Sequence, residues 1–146
     1  MITVTDAEVR FLKNNKTHAV SRDQVHVAFL DGKNIVLQDA SSRELVREPH
    51  DQLKSEVKAI PAAFKSHGYP WSDDGDPHRG AFRRWVEDTP DLPGAVNALL
   101  RARAKALDAG GKGRNDAREL RDEVAKLGFV VRDEESRQYW RSVSPV

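Results

Sequence analysis

The sequence contains no cysteine, which excludes disulfide bonds, thiolate metal sites and cysteine nucleophiles. No stretch approaches the roughly 18 consecutive apolar residues that a membrane-spanning helix needs. Residues 1–16 also lack the apolar core of a signal peptide. We therefore expect a cytoplasmic protein that does not associate with membranes.

A strong charge of one sign is lacking too, because 24 Lys and Arg residues face 23 Asp and Glu residues and the net charge is +1. The charge is unevenly distributed, because residues 1–78 have a net charge of −2 and residues 79–146 have a net charge of +3. This difference indicates where an anionic partner would dock, without requiring that one exists. The 146 residues suit one domain or two very small ones.

Residues 1–88 are predicted to form an N-terminal α+β region of unknown type. Residues 5–8 (Thr-Asp-Ala-Glu) match a capping box, which predicts a short helix ending near Lys13. Two β-rich runs at residues 25–30 and 35–37 flank an Asp-Gly turn and predict a β-hairpin.

Helices are predicted for the middle of the chain. A second capping sequence at residues 41–44 predicts a brief helix. The helical spacing of apolar residues from Leu53 to Phe64 predicts a longer one, which Pro61 should kink or split. A further helix is expected over residues 79–87, with aromatic residues on one side.

Residues 89–146 are predicted to form a separate C-terminal region that begins with a helical hairpin. The first helix should run over residues 93–108 and end at the glycine-rich residues 109–113. Asn115 or Asp116 should cap the second helix. The apolar residues that this second helix is expected to bury are Ala117, Leu120, Val124 and Leu127.

Two strands are predicted after the helical hairpin, at residues 129–132 and 138–141, joined by a turn. The fold class predicted for the whole chain is therefore α+β and predominantly helical. It comprises an N-terminal helix and β-hairpin, central helices, and a C-terminal helical hairpin followed by a two-stranded β-hairpin.

The residue pattern of this C-terminal region resembles the end of cysteinyl-tRNA synthetases. That family ends in Lys-Asp-aromatic, then Ala-Asp-x-Leu-Arg-Asp-Glu-Leu, Gly-Ile-x-Val-x-Asp, and finally Trp-Arg. The residues of this chain that match are Lys112, Ala117, Leu120, Arg121, Asp122, Glu123, Val124, Gly128, Phe129, Val131, Asp133, Trp140 and Arg141. The intervals from Arg121 to Trp140 match without gaps, and the resemblance covers residues 99–141.

The resemblance implies an anticodon-binding scaffold in which Lys112, Arg121, Asp133 and Trp140 occupy family contact positions. Gly113 and Arg114 stand where the family has Asp and an aromatic residue, and Arg118 replaces a further Asp. The scaffold is thus expected to be retained while the residues that read the anticodon have changed. The family's catalytic motifs and zinc ligands are absent, so we predict that the protein is not an enzyme.

The second helix of the hairpin should separate its charges. At about 100° per residue, Arg114, Arg118 and Arg121 fall on one flank, and Asp116, Glu119 and Glu123 fall on the other. The arginine flank is predicted to contact phosphates. The alternative is a solvated helix with intrahelical ion pairs.

Three other features of the C-terminal region allow more than one interpretation. The glycines around Lys112 form either a phosphate-approaching turn or, more simply, a flexible connector. Tyr139 and Trp140 should point to opposite faces of a strand, with Trp140 in the core and the other ring able to stack on a base. Arg103 lies within the apolar face of the first helix, where it extends to solvent or contacts another part of the protein.

A cluster of acidic residues with one histidine suggests a metal site in the middle of the chain. The cluster comprises Asp73, Asp74, Asp76 and His78. Its spacing matches no calcium loop, however, and Asp-Gly-Asp-Pro is typical of turns. We predict no metal and no other cofactor.

The function predicted from the sequence is non-catalytic binding of nucleic acid, with RNA, and tRNA in particular, as the partner. The N-terminal region would add contacts or recruit a protein partner. One alternative is a winged-helix-like DNA binder, although the connector at residues 109–115 is long for that motif. The other is a protein-interaction or assembly protein, regulatory or viral, that reuses the scaffold without RNA.

Overall fold

The computed structural model describes residues 2–13, 15–49 and 54–143. The chain divides after His78 into two compact units, called here the N-terminal unit and the C-terminal unit. Residues 79–88, which the sequence analysis placed in the N-terminal region, lie in the C-terminal unit.

The fold is α+β, but the prediction that it is predominantly helical is wrong. Helix accounts for 35% of the residues and strand for 34%, and the described residues form three helices and three three-stranded sheets. The error arose where turn and capping sequences precede strands instead of helices.

The N-terminal unit consists of two antiparallel three-stranded sheets and one helix. The first sheet has the order β1 (Ile2–Val4), β2 (Glu8–Lys13), β3 (Lys16–Ser21), and the second has the order β4 (Val27–Asp31), β5 (Asn34–Gln38), β6 (Glu44–Pro49). Helix α1 (Lys54–Ser66) follows. The pairing of β4 with β5 confirms the predicted hairpin.

One apolar core connects the sheets and the helix of this unit. Its buried members are Val9, Phe11, Val20, Val25, Ala28, Ile35, Leu37, Val46, Ile60, Phe64 and Tyr69. Phe64 contacts the rings of Tyr69 and Trp71, with centroid separations of 5.4 and 5.2 Å. The segment after α1 is thus held against that helix by aromatic packing.

The helix predicted to end near Lys13 is instead strand β2, which follows a tight turn. The Thr5 hydroxyl oxygen accepts hydrogen bonds from the backbone N–H groups of Ala7 and Glu8, at 3.3 and 3.2 Å. These are the bonds of a helix cap, but here they close a turn between β1 and β2. Val4 then pairs with Val9 across the two strands.

The helix predicted after residues 41–44 is also absent, and β6 takes its place. The Asp39 carboxylate accepts hydrogen bonds from the backbone N–H groups of Ser41 and Arg43, which builds the turn that leads into this strand. The longer helix is confirmed as α1, and Pro61 lies inside it without splitting it. Leu53 lies outside the described residues.

The C-terminal unit packs two helices on a small sheet. Helices α2 (Gly94–Asp108) and α3 (Arg114–Lys126) are joined by a 3-10 turn at Gly110–Gly113. A sheet of order β7 (Arg83–Arg84), β9 (Arg137–Ser142), β8 (Phe129–Glu134) follows. The predicted antiparallel pairing of the last two strands is confirmed, with Val131 opposite Trp140.

The core of the C-terminal unit lies between α2, α3 and the sheet. Its buried residues are Leu92, Val96, Leu100, Val124, Val131 and Trp140, with Trp85, Leu99 and Phe129 packed against them. Val124 is buried as predicted, whereas Leu120 is only half-buried and Leu127 is 48% exposed.

The helix predicted over residues 79–87 is wrong, because this segment forms a 3-10 turn followed by β7. The backbone N–H of Trp85 extends the pairing by donating to the Gln138 carbonyl at 2.9 Å. Its indole N–H donates to the side chain of buried Asn97 at 3.0 Å. Long-range strand pairing therefore overrides the local helical pattern of the segment.

Candidate nucleic-acid interface

Helix α3 separates its charged residues as the sequence predicted. Ala117 and Val124 form the buried stripe. Arg114 is exposed, and Arg118 and Arg121 are half-buried. The helical period places Arg114, Arg118 and Arg121 on one side of this stripe, and we call that side the arginine flank. It places Asp116, Glu119 and Glu123 on the other side.

The glycine-rich connector is a packed turn, not a flexible linker. Gly110 has φ +66°, a left-handed conformation that ends α2. A Cβ at Gly113 would lie 1.9 Å from the carbonyl oxygen of Ala106, so only glycine allows the two helices to approach this closely. Gly113 is also the residue preceding α3, and the caps predicted at Asn115 or Asp116 are not formed.

Lys112 is exposed in this turn, but the structure does not place it with the arginine flank. It lines a groove between α2 and α3 together with Asp116 and Glu119. Lys112, one of the seven residues predicted to contact nucleic acid, therefore lies on the acidic side of α3.

Asp133 is held by a buried arginine. The Nη1 and Nη2 atoms of Arg103, which is 3% exposed, donate to the two carboxylate oxygens of Asp133 at 2.6 and 2.8 Å. Arg103 also donates to the Ala117 carbonyl and to the Gln138 side chain, at 2.9 and 3.0 Å. Gln138 in turn donates to the Leu100 carbonyl at 2.9 Å.

This polar network joins α2, α3, β8 and β9, and it uses both oxygens of the Asp133 carboxylate. The arrangement gives Asp133 a structural role that its position in the family pattern does not reveal. Arg103 was visible in the sequence as a cation inside an apolar face, yet its partner could not be deduced, because the pair is separated by 30 residues.

The two aromatic residues of β9 lie on opposite faces of the strand, as expected. Trp140 is 2% exposed in the core, where the Arg83 guanidinium lies 4.1 Å from its ring centroid. Tyr139 is half-buried on the other face of the strand, opposite Arg84 and Arg132 in the sheet register. Tyr139 is therefore the ring of this pair that retains surface.

A cation–aromatic cluster absent from the sequence prediction lies in the same unit. The guanidinium groups of Arg132 and Arg141 lie 5.7 and 5.3 Å from the ring centroid of Phe82. Phe82 immediately precedes β7, and the pairing of β7 with β9 brings it to these arginines. The only sequence signal was the aromatic residue beside two arginines, Arg83 and Arg84.

The acidic cluster in the middle of the chain is engaged in local contacts. Asp73 pairs with Lys65 at 2.9 Å. Asp76 is buried and accepts hydrogen bonds from the Gln38 side chain and the His78 backbone, at 3.4 and 2.8 Å. Over residues 2–13, 15–49 and 54–143, no group of three or more His, Asp or Glu side chains is placed to hold a metal ion.

A buried charge network also lies in the N-terminal unit. Arg47, which is 8% exposed, donates to the carboxylates of Glu44 and Asp31, with its shortest contacts at 2.7 and 2.8 Å. Burial alone would lower the pKa of Arg47, but the hydrogen bonds and charges of Glu44 and Asp31 outweigh burial and raise it. This arginine therefore remains charged inside the unit.

Two family models match separate parts of the chain. Residues 89–141 match the cysteinyl-tRNA ligase anticodon binding domain, which confirms the resemblance inferred from the sequence. Residues 1–72 match the YqeB-like bacterial PH domain, a similarity that the sequence analysis did not detect. Within the part of the chain that the structure describes, no helix is long and apolar enough to cross a membrane.

The chain is also similar to a protein of Bacillus subtilis (strain 168) named "Uncharacterized protein YqeB". The two are 44% identical over 140 residues, which is 96% of this chain and 56% of that protein. The chain thus spans little more than half the length of this relative. No solved structure matches the chain significantly.

Proposed function

We propose that the C-terminal unit binds RNA, with tRNA as the ligand class, through the arginine flank of α3 and without catalysing a reaction. The observation that carries this proposal is the match of residues 89–141 to an anticodon-binding domain. The proposal also places the protein in the cytoplasm, where tRNA is found.

The charge distribution on α3 supports this mode of binding. Guanidinium groups donate two parallel hydrogen bonds to phosphate oxygens, and Arg114 is exposed for such a contact. Carboxylates on the other side of the helix repel a phosphate backbone, which restricts RNA to one orientation. The flank positions RNA without reading its sequence, since phosphate contacts are the same for every base.

Base contacts are assigned to Tyr139 instead of Asp133 or Trp140. The Asp133 carboxylate is bound by Arg103, and Trp140 is 2% exposed. Tyr139 retains surface and lies between two arginines in the sheet register, a combination that suits base stacking. The residues at the family's anticodon-contact positions are either engaged inside the unit or different from those of the family. We therefore expect the protein to discriminate only weakly among tRNAs.

A protein-interaction function is the second candidate, and two observations favour it. Two of the seven predicted RNA-contact residues, Asp133 and Trp140, are used inside the unit, and the net charge is only +1. The N-terminal unit, which is similar to a bacterial PH domain, would then recruit the protein partner.

The test is a titration of unmodified tRNA with the full chain, comparing wild type with Arg114→Glu and Arg118→Glu. Each substitution should weaken binding to all tRNAs to a similar extent. The matched control is Lys126→Glu, which makes the same charge change on α3 but away from the arginine flank. No saturable binding at low salt would reject the RNA proposal and favour the interaction protein.

A further inference from the structure

The groove between α2 and α3 lies on the side of α3 opposite the arginine flank. It is shallow and has a volume of about 670 Å³. The residues that line it are Ala102, Lys105, Ala106 and Ala109 from α2, Lys112 and Gly113 from the turn, and Asp116, Glu119, Leu120 and Glu123 from α3. None of these residues belongs to the arginine flank that is proposed above to bind phosphates.

The floor of the groove is apolar and made of small side chains. Ala102, Ala106 and Ala109 are spaced by four and three residues, so they share one face of α2. Leu120 adds a half-buried side chain from α3. Alanine leaves the helix backbone accessible, which lets a second helix approach closely and bury its own apolar side chains there.

The α3 wall of the groove is acidic. Asp116, Glu119 and Glu123 follow one another at spacings of three and four residues, which aligns them along one face. Glu123 pairs with Lys126 at 2.9 Å. Asp116 and Glu119 are exposed and make no ion pair with any residue in the described ranges. The facing wall supplies only Lys105, with Lys112 at one end.

This combination of floor and wall selects the kind of partner. Three carboxylates repel RNA, whereas they attract a row of lysine or arginine side chains. The row from Asp116 to Glu123 is about 10 Å long, which corresponds to two turns of helix. An apolar floor beside an acidic edge is complementary to an amphipathic helix whose apolar stripe is bordered by basic residues.

We propose that the α2/α3 groove binds a short amphipathic helix of a protein partner, with its apolar residues on the alanine floor and its basic residues along Asp116, Glu119 and Glu123. This site is separate from RNA binding and does not depend on it. Together, the two surfaces let one small unit hold a nucleic acid on one side of α3 and a protein on the other.

The experiment pans a displayed library of short helical peptides against the full chain and measures the affinity of the enriched peptides by fluorescence anisotropy. Enriched peptides should carry basic residues beside an apolar stripe. Glu119→Lys should weaken their binding by roughly tenfold, because it replaces attraction with repulsion. Ala102→Trp should abolish binding by filling the floor.

The matched control is Asp122→Lys, which makes the same charge change on an exposed position of α3 outside the groove. It should bind the peptides as wild type does. Failure to enrich any saturable binder, or equal weakening by Asp122→Lys and Glu119→Lys, would overturn the proposal. A concentration-dependent dimer that Glu119→Lys dissociates would also overturn it, because the occupant would then be a second copy of the chain.

Discussion

Substituting Asp133 with alanine should destabilise the C-terminal unit. The substitution removes the two carboxylate oxygens that accept hydrogen bonds from Arg103. Arg103 is 3% exposed and cannot turn to solvent without disrupting the core. Arg103 then keeps only the Ala117 carbonyl and the Gln138 side chain as partners. A buried cation without its counter-ion is among the most costly defects that a single substitution can create.

The size of the effect follows from the burial of the two partners. Leaving one member of a fully buried pair uncompensated costs about 3–5 kcal/mol. The side chain of Asp133 is 38% exposed, so water can reach the vacated position, and we reduce the expected loss to about 2–3 kcal/mol. For a unit of this size that loss lowers the melting temperature by on the order of 10–20 °C.

The assay is urea unfolding of the full chain, followed by tryptophan fluorescence, to which Trp85 and Trp140 contribute. Glu134→Ala is the control, because its pair with Arg132 is a surface contact at 3.4 Å with a carboxylate side chain 54% exposed. Such a pair contributes about 0–1 kcal/mol. Unchanged stability of Asp133→Ala combined with a loss of tRNA binding would refute the structural role and return Asp133 to the RNA surface.

Two further predictions concern the helix crossing and the N-terminal core. Gly113→Ala should destabilise the C-terminal unit by about 3 kcal/mol or more in thermal unfolding, because its Cβ would overlap the Ala106 carbonyl; a loss below about 1 kcal/mol would show that the turn is not tightly packed. Burial raises the pKa of Tyr69, so the folded state holds the phenol proton more tightly than the unfolded state does. The stability that the protonated Tyr69 phenol contributes to the folded state should therefore be fully present below about pH 10. It should be lost as the pH rises through the pKa of Tyr69 in the folded protein. Urea unfolding at rising alkaline pH checks this, and a Tyr69→Phe variant that declined just as steeply would contradict it.

The helical hairpin and the last two strands were predictable because their signals are local. The apolar residues of α2 and α3 recur at helical spacing, and Gly110 and Gly128 stand where left-handed residues end the two helices. The strands after α3 are joined by a turn of only two residues. Each of these features depends on neighbours in sequence, which is where propensity and spacing are informative.

Strands β2 and β6 of the N-terminal unit were missed because the same local chemistry begins both helices and turns. Thr5 makes the hydrogen bonds of a cap, yet the residues after it alternate between buried Val9 and Phe11 and exposed Arg10 and Leu12. That period of two indicates a strand and outweighs the cap.

The sequence was sufficient to predict which side of α3 carries positive charge, but not which side chains of the candidate site contact one another. Helical geometry alone placed Arg114, Arg118 and Arg121 on one flank. The use of Asp133 by Arg103 depends on how two distant segments pack, so no spacing rule could reveal it. The pairing of β7 with β9, which brings Phe82 to Arg132 and Arg141, is equally non-local.

The measurement that tests the central claim most directly is the salt dependence of tRNA binding by wild type and by Arg114→Glu. Three phosphate contacts on the arginine flank predict a slope of log K against log salt of about −2 to −3 for wild type. Removing one contact should make the slope shallower by about one. Identical slopes for the two proteins, with Lys126→Glu as the charge control, would contradict the account and place any RNA site away from this helix.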